Sequence, residues 1–317
     1  MTQLDLSPAP FHRLPGDPPL KVRAFHVTTG DGTRLRLALW PAEDEARGTV
    51  LLFPGRTEYL EKYAEAGAEL AAAGWHVLGI DWRGQGSSDR LLPDPRPGHI
   101  ADFADYQTDV AAMVAAAATL ALPRPWHLLA HSMGGAIGLR ALFEGLEVRR
   151  AVFSAPMWGI LHRSVPRFAV NGLVGGAVRL GRAGMPAIGS GGSGTFVLDG
   201  AFRNNMLTGD GLRWGRMVAE AAAWPDLTLG GASWGWLGAA LAECDRLAAR
   251  ASPDLPALVS LGSSERIVSP AAIRARVARW PSATLFDVPG GQHEVLFETP
   301  DRRDAFLAAT LRFLAEG

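Results

Sequence analysis

Ser132 lies in the run Leu128-Leu129-Ala130-His131-Ser132-Met133-Gly134-Gly135, where an apolar stretch ends on one hydroxyl and a helical pattern begins. The chemistry open to such a serine is nucleophilic attack on a carbonyl. A sharp strand-to-helix turn needs small residues on either side of the hydroxyl, and Ala130 and Gly134 supply them. The serine Oγ is then pushed into open space. The N–H of Met133, at the start of the following helix, points to where an oxyanion would develop. Trp126 to Ala130 reads as a buried strand and Ala136 to Leu146 as a helix that Gly145 caps, so the context favours a nucleophile over an ordinary turn serine.

A serine hydroxyl is a weak nucleophile at neutral pH. It needs an imidazole to take its proton and a carboxylate to hold that imidazole in the right tautomer. Where the serine sits on such an elbow, the acid and then the histidine follow it in the chain. His293, in Val288-Pro289-Gly290-Gly291-Gln292-His293-Glu294, is the one histidine late enough, in a glycine-containing loop after the last expected strand. Leu258 to Leu261 runs into Gly262-Ser263-Ser264-Glu265-Arg266, which makes Glu265 the expected acid. Asp287 falls inside a strand and Glu294 adjoins His293, so either would orient the ring poorly. The bland reading of Glu265 is an ion pair with Arg266. A second oxyanion donor is expected after an early strand, at Phe53-Pro54-Gly55-Arg56, from the N–H of Arg56. The glycine-rich loop Asp81-Trp82-Arg83-Gly84-Gln85-Gly86 is read as structural.

These residues need a scaffold, and the pattern describes one. Residues 22 to 41 read as two strands around Gly30-Asp31-Gly32. Beyond them, strand-like runs at 49–53, 76–81, 126–130, 151–154, 257–261 and 284–288 alternate with helical patterns near 59–73, 104–121, 136–146, 270–280 and 301–315. That is βαβ alternation, and the expected fold class is α/β with a mostly parallel central sheet flanked by helices. The expected division is an extended arm over 1–20, a core over 21–156 and 251–317, and an inserted, mainly helical cap over 157–250. The insertion would lie over the carboxyl ends of the strands, where ligands bind in open α/β sheets. Trp158, Trp214, Trp224, Trp234 and Trp236 are concentrated in it, either to line an acyl-chain site or to pack cap onto core. Gly189-Ser190-Gly191-Gly192-Ser193-Gly194 matches a dinucleotide fingerprint in form only, because no strand precedes it.

Composition narrows the function classes further. In 317 residues of formal net charge −1, Lys21 and Lys62 are the only lysines, so nothing here attracts a polyanion and nucleic-acid binding is not expected. Cys244 stands alone, which excludes an intrachain disulfide or a thiolate metal site and suits a cytoplasmic setting. The proline-punctuated start lacks the pattern of a signal peptide. The longest apolar run, Val110 to Leu122, falls short of the roughly 20 residues of a membrane span.

With Ser132, Glu265 and His293 in hand, the chain resembles the α/β-hydrolase superfamily. Within it, the likeness is to the monoacylglycerol lipase and lysophospholipase L2 group, also labelled serine aminopeptidase S33 or hydrolase-4. The resemblance covers most of residues 40 to 315. It rests on Gly55-Arg56-Thr57-Glu58-Tyr59 with Glu61-Lys62-Tyr63, Asp81 to Gly86, His131 to Gly135, Leu207-Thr208-Gly209-Asp210, Gly262 to Arg266 and Gly291-Gln292-His293-Glu294. It implies a triad of Ser132, Glu265 and His293 and an oxyanion hole from Arg56 and Met133, in agreement with the residue-level reading. Three positions depart from the group: Ala130 where glycine is usual, Glu265 where monoacylglycerol lipases carry aspartate, and Pro54 in place of histidine. The last turns the likeness towards the lysophospholipase L2 type.

The expectation is therefore a serine carboxylic-ester hydrolase that works through an acyl-enzyme on a small-molecule ester or lysolipid, and needs no metal or organic cofactor. A broad short-chain esterase, a proline-directed aminopeptidase and a catalytically silent binding protein are the rivals. Peripheral membrane contact, at the inner membrane, would use the cap's apolar residues, although no basic amphipathic helix supports it.

Overall fold

In the computed structural model, which describes residues 6–161, 166–190 and 194–316, the apolar runs become strands of one sheet. They are β1 (Ser7–Pro8), β2 (Arg23–Thr28), β3 (Arg34–Trp40), β4 (Gly48–Phe53), β5 (Trp75–Asp81), β6 (Trp126–His131), β7 (Arg150–Ser154), β8 (Ala257–Gly262) and β9 (Ala283–Val288). The sheet order is β1-β2-β3-β5-β4-β6-β7-β8-β9. β1, β2, β3 and β5 pair antiparallel in succession, and from β5 to β9 every pairing is parallel.

Every residue of β4 and β6 is buried, as expected of strands covered on both faces. The helices are α1 (Ala64–Ala72), α2 (Asp105–Thr119), α3 (Met133–Phe143), α4 (Arg167–Arg179), α5 (Phe196–Asp199), α6 (Gly211–Ala223), α7 (Trp234–Ala249), α8 (Pro270–Ala278) and α9 (Pro300–Ala315). Tyr106, Met113, Ile137, Trp236 and Ile273 from α2, α3, α7 and α8 fill one side of the sheet. Leu70 of α1 with Phe306 and Leu314 of α9 fills the other. No helix among the described residues is long and apolar enough to cross a membrane.

β4 lies between β5 and β6, so the chain leaves it first to one side and later returns on the other. The crevice at such a switch point lies beyond the strands' carboxyl ends. Phe53 pairs with Ala130 there, and the Gly55-Arg56 loop and Ser132 emerge side by side.

Several elements differ in detail from the sequence pattern. The helix expected from Ala136 begins at Met133, directly after the serine. It ends in a Schellman turn, with Gly145 at φ +96° and the N–H groups of Gly145 and Leu146 bonded to the carbonyls of Leu142 and Ala141. The helix expected over 59–73 divides into a tight 3₁₀ turn, Leu60–Tyr63, and α1. The N-terminal arm is not merely extended: its β1 pairs with the edge of β2, and Asp17 reaches Arg216 of α6 at 2.7 Å.

Between β7 and β8 the chain forms α4 to α7. Trp236, Ala240, Cys244 and Leu247 of α7 pack in the same core as α3, so by packing this helix sits with the sheet. The glycine-rich stretch from residue 172 begins inside α4, and residues 191–193 of the Gly189–Gly194 run lie outside the described residues. Ahead of α6, the Asp210 carboxylate caps the N–H groups of Leu212 and Arg213.

Candidate active site

Ser132 sits at the turn between β6 and α3 with φ +49° and ψ −115°, a conformation that costs a non-glycine residue about 1–3 kcal/mol. Three backbone bonds hold it there. Its N–H donates to Ser154 at 3.0 Å, and its carbonyl accepts from Gly135 at 2.9 Å and Met157 at 2.8 Å. A Cβ on Gly134 would stand 2.1 Å from the Phe53 carbonyl oxygen, so the turn closes against the β4 loop only with glycine there.

The structure brings Ser132, His293 and Glu265 together. His293 Nε2 lies 2.8 Å from Ser132 Oγ, and His293 Nδ1 lies 2.8 Å from Glu265 Oε2. The other Glu265 oxygen accepts the N–H groups of Ile267 at 2.6 Å and Val268 at 3.1 Å, which fixes the carboxylate's plane. Burial pushes the Glu265 carboxyl up, but the charge and hydrogen bond of His293 and the two N–H donors outweigh it and leave it lowered. Burial also pulls the His293 imidazole down, and there Glu265, with Glu294 and Glu58 behind it, wins and raises it. Arg266 does not pair with Glu265 but turns to the Asn205 carbonyl and to Gln292 Oε1. Asp287 pairs with Arg274 at the surface.

The N–H of Gly55 is taken by the Glu58 carboxylate, which leaves the N–H of Arg56 as the next donor on that loop. Among the described residues neither it nor the N–H of Met133 has a protein acceptor. The Asp81–Gly86 loop props this segment from behind: Trp82 Nε1 donates to the Pro54 carbonyl at 2.9 Å and Gln85 Nε2 to that of Gly55 at 2.8 Å. The Arg56 side chain donates to the Gly230 carbonyl at 2.9 Å and lies over the Trp236 ring at 5.1 Å. Burial pulls its guanidinium down to about 10. Among the described residues no carboxylate pairs with it.

Ser132 and His293 open onto a cavity of about 430 Å³, walled largely by apolar side chains including Met157, Ile160, Val197, Leu207, Leu229 and Trp236. Of the five tryptophans from the end of β7 through α7, Trp236 lines it. Trp158 packs against Phe153, Trp214 meets Phe196 and Phe202, and Trp224 stacks on His12.

A buried ionic group borders the cavity. Lys62 Nζ lies 2.8 Å from Glu58 Oε1 and 2.6 Å from Glu294 Oε1. Glu58, His131 and Glu294 could offer a metal three ligand atoms within 4.8 Å of one another. Lys62 already sits between the two carboxylates. Burial pulls its ammonium down, but the two carboxylates more than reverse this and keep it charged, so the donor set is matched to a lysine. Burial lowers His131 to about 4, so its ring is neutral. Its Nδ1 faces the Ser154 carbonyl at 3.0 Å and therefore carries the proton.

The sequence reading gave no role to Glu58, Lys62 and Glu294, nor to the bonds tying the segment before α6 to the histidine loop. Thr208 Oγ1 donates to the Phe297 carbonyl at 2.6 Å, and the N–H groups of Gly209 and Gln292 share Glu298 Oε1 at 3.1 and 2.7 Å. The only advance signal was that Glu58, Lys62, Glu294 and Leu207 to Asp210 fall within segments that carry the family likeness.

A family model described as serine aminopeptidase, S33 matches residues 44–300. The chain is similar to lysophospholipase L2 of Escherichia coli, with 33% identity over 297 residues that cover 89% of this chain and 84% of that protein. It is 28% identical over 275 residues to the probable lysophospholipase L2 of Haemophilus influenzae, covering 86% and 85%. Among solved structures, a soluble variant of monoglyceride lipase from Saccharomyces cerevisiae superposes with TM-score 0.69 at 16% identity, over 99% of this chain and 96% of that one. The monoacylglycerol lipase of Paleococcus ferrophilus gives 0.68 at 21%, over 88% and 98%. At those identities the structures speak for the fold alone, and that fold is the α/β-hydrolase fold. The chain belongs to the serine aminopeptidase S33 family of α/β-hydrolases.

Proposed function

We propose that this protein hydrolyses lipid esters of the lysophospholipid or monoacylglycerol kind, with Ser132 as nucleophile, His293 as base and Glu265 as its orienting acid. The observation that carries the reading is the hydrogen-bonded series Ser132–His293–Glu265, 2.8 Å at each link, facing an apolar cavity. Ser132 Oγ attacks the ester carbonyl as His293 Nε2 takes its proton. The N–H groups of Arg56 and Met133 receive the oxyanion, each such donor being worth about 2.7–4 kcal/mol in the transition state. The imidazolium then protonates the departing alcohol, and water attacks the acyl-serine by the same route to release a fatty acid.

The segment 157–250 is the proposed cap, and the apolar cavity is where the acyl chain would lie. Relatives named lysophospholipase, and the Arg56 guanidinium, which pairs with no carboxylate among the described residues, favour a substrate with an anionic phosphate in its head group. An aminopeptidase would need free carboxylates for the substrate's amino group, whereas Glu58 and Glu294 at the cavity are both held by Lys62. Among the described residues, the exposed large apolar side chains other than Leu91 all fall between Phe168 and Leu212, with Phe168, Leu180, Ile188 and Leu212 more than 70% exposed. Exposed apolar side chains in this number suit contact with a membrane surface. A cytoplasmic place at the inner membrane completes the proposal.

The test is hydrolysis of p-nitrophenyl esters from acetyl to palmitoyl, with lysophosphatidylcholine and monoacylglycerol alongside, by wild type and Ser132→Ala. Each buried methylene is worth up to about 0.8 kcal/mol, so kcat/KM is expected to rise several-fold per added carbon until the cavity is full. A flat profile removes the acyl site, and activity that survives in Ser132→Ala removes the mechanism.

A further inference from the structure

Lys62 is one of two lysines in the chain, and it is buried where two loops of the site meet. Glu58 belongs to the segment after β4. Its Oε2 accepts the N–H of Gly55, one residue before the Arg56 donor, and the hydroxyl of Tyr63 at 2.6 Å. Glu294 belongs to the other loop, one residue after His293. The Lys62 ammonium joins them at 2.8 and 2.6 Å and rests on the face of Phe297 at 4.6 Å. The chain positions so connected are far apart in sequence, and the hydrogen bond from Ser132 to His293 does not itself tie the base to the oxyanion loop.

We infer that Glu58, Lys62 and Glu294 form a positioning clamp for the reaction at Ser132, holding the oxyanion loop and the histidine loop at one spacing. The inference rests on the serine-hydrolase reading above. Its electrostatic side follows from counting charges: one ammonium between two carboxylates leaves a single negative charge behind the imidazole. The groups that face His293 are Glu265 after β8, Ser132 and neutral His131 at the end of β6, Glu58 and Lys62 after β4, and Glu294 on its own loop. Among the described residues the segment 157–250 adds the Met206 carbonyl, 3.4 Å from the His293 backbone nitrogen. The clamp charge therefore adds to Glu265 in favouring the imidazolium that forms when Ser132 gives up its proton. Glu294 Oε2 is buried without a hydrogen-bond partner among the described residues, so replacing it by an amide nitrogen breaks no bond.

Three variants separate geometry from charge. In Lys62→Met the bridge is lost, and kcat is expected to fall by about 100-fold while KM moves less than about threefold, the cost of misplacing groups by an ångström or so. In Glu294→Gln the amide oxygen still accepts from Lys62, the bridge stands and the clamp is neutral. There the acid limb of the kcat/KM–pH profile is expected to move to lower pH, with a smaller loss of kcat. In Lys62→Met/Glu294→Gln the single negative charge returns but the bridge does not, so the acid limb returns towards wild type while kcat stays low. The inference is overturned if these variants lose thermal stability yet keep wild-type kcat at the optimum and an unmoved acid limb, for then the group only packs. Should Lys62→Met not fold, the acid limb of Glu294→Gln decides alone. Activity that persists in Ser132→Ala would instead overturn the mechanism on which the clamp depends, and that outcome is distinct from a clamp variant behaving as wild type.

Discussion

The floor of the cavity and its wall are built on different principles. At the floor, where β4, β6 and β8 end, the Ser132 backbone is held by three hydrogen bonds, the His293 ring by two and the Glu265 carboxylate by three, and the backbone is packed to contact, as at Gly134. Behind the wall, Val170 and Val174 of α4 pack with Ile160 and Leu237, which line the cavity, while Gly172, Gly175 and Gly176 of the same helix have no neighbour near a hypothetical Cβ and Phe168 is 79% exposed. On the proposed mechanism a proton moves between Ser132 and His293, which calls for placement to the ångström. On the same proposal the wall admits and releases a flexible chain, for which apolar character suffices. Substitutions of equal size should thus be costly below and nearly free above.

The largest effect is expected at Glu265. In Glu265→Gln the acceptor for Ile267 and Val268 survives, but the amide can donate to Nδ1 and favour the wrong imidazole tautomer, so kcat should fall by about 10⁴-fold. The sign of the pH effect follows from His293. Its active form is neutral and Glu265 holds its pKa above the usual 6.5, so wild-type activity is lost as pH falls through that raised value. Without the carboxylate's charge the acid limb should move down, even as the rate drops. A pH profile of kcat/KM for both proteins checks this, and an unmoved limb would assign the acid's role elsewhere.

Glycine substitutions compare floor and wall directly. Gly134→Ala drives a methyl group into the Phe53 carbonyl and should cost about 1–3 kcal/mol or more in denaturant unfolding, with activity lost as the oxyanion loop shifts. Gly175→Ala, in an open part of α4, should stabilise by about 0.4–1 kcal/mol. Similar costs at both positions would erase the distinction. The smallest effect on stability is expected for Phe168→Ser with Ile188→Ser and Leu212→Ser, each within about 0.5 kcal/mol. Cosedimentation with anionic lipid vesicles should nonetheless drop in the triple variant, and undiminished binding would remove the membrane role of these side chains.

What the sequence determined by itself was the scaffold and the chain order of Ser132, Glu265 and His293, which the fold brings together. Short, largely apolar runs such as Thr49–Phe53 and Trp126–Ala130, alternating with helical patterns, fit buried strands, and a hydroxyl between small residues at a strand-to-helix switch fits a sharp turn. Glu265 and His293 were legible because each follows a strand whose end must lie at the same edge of a parallel sheet. Asp210 carried no assigned role in the sequence pattern, and its cap on α6 became visible only in the structure. Tertiary structure alone decided the rest. Lys62 carries no periodic or spacing signal towards Glu294, because an ion pair across 232 residues is a property of how loops meet in space. The tryptophans from the end of β7 through α7 read alike in composition, yet only packing shows that Trp236 faces the cavity while Trp158, Trp214 and Trp224 are spent on other contacts. Short-range chemistry writes itself into neighbouring residues, whereas the walls and the clamp depend on surfaces that become neighbours only when the sheet is complete.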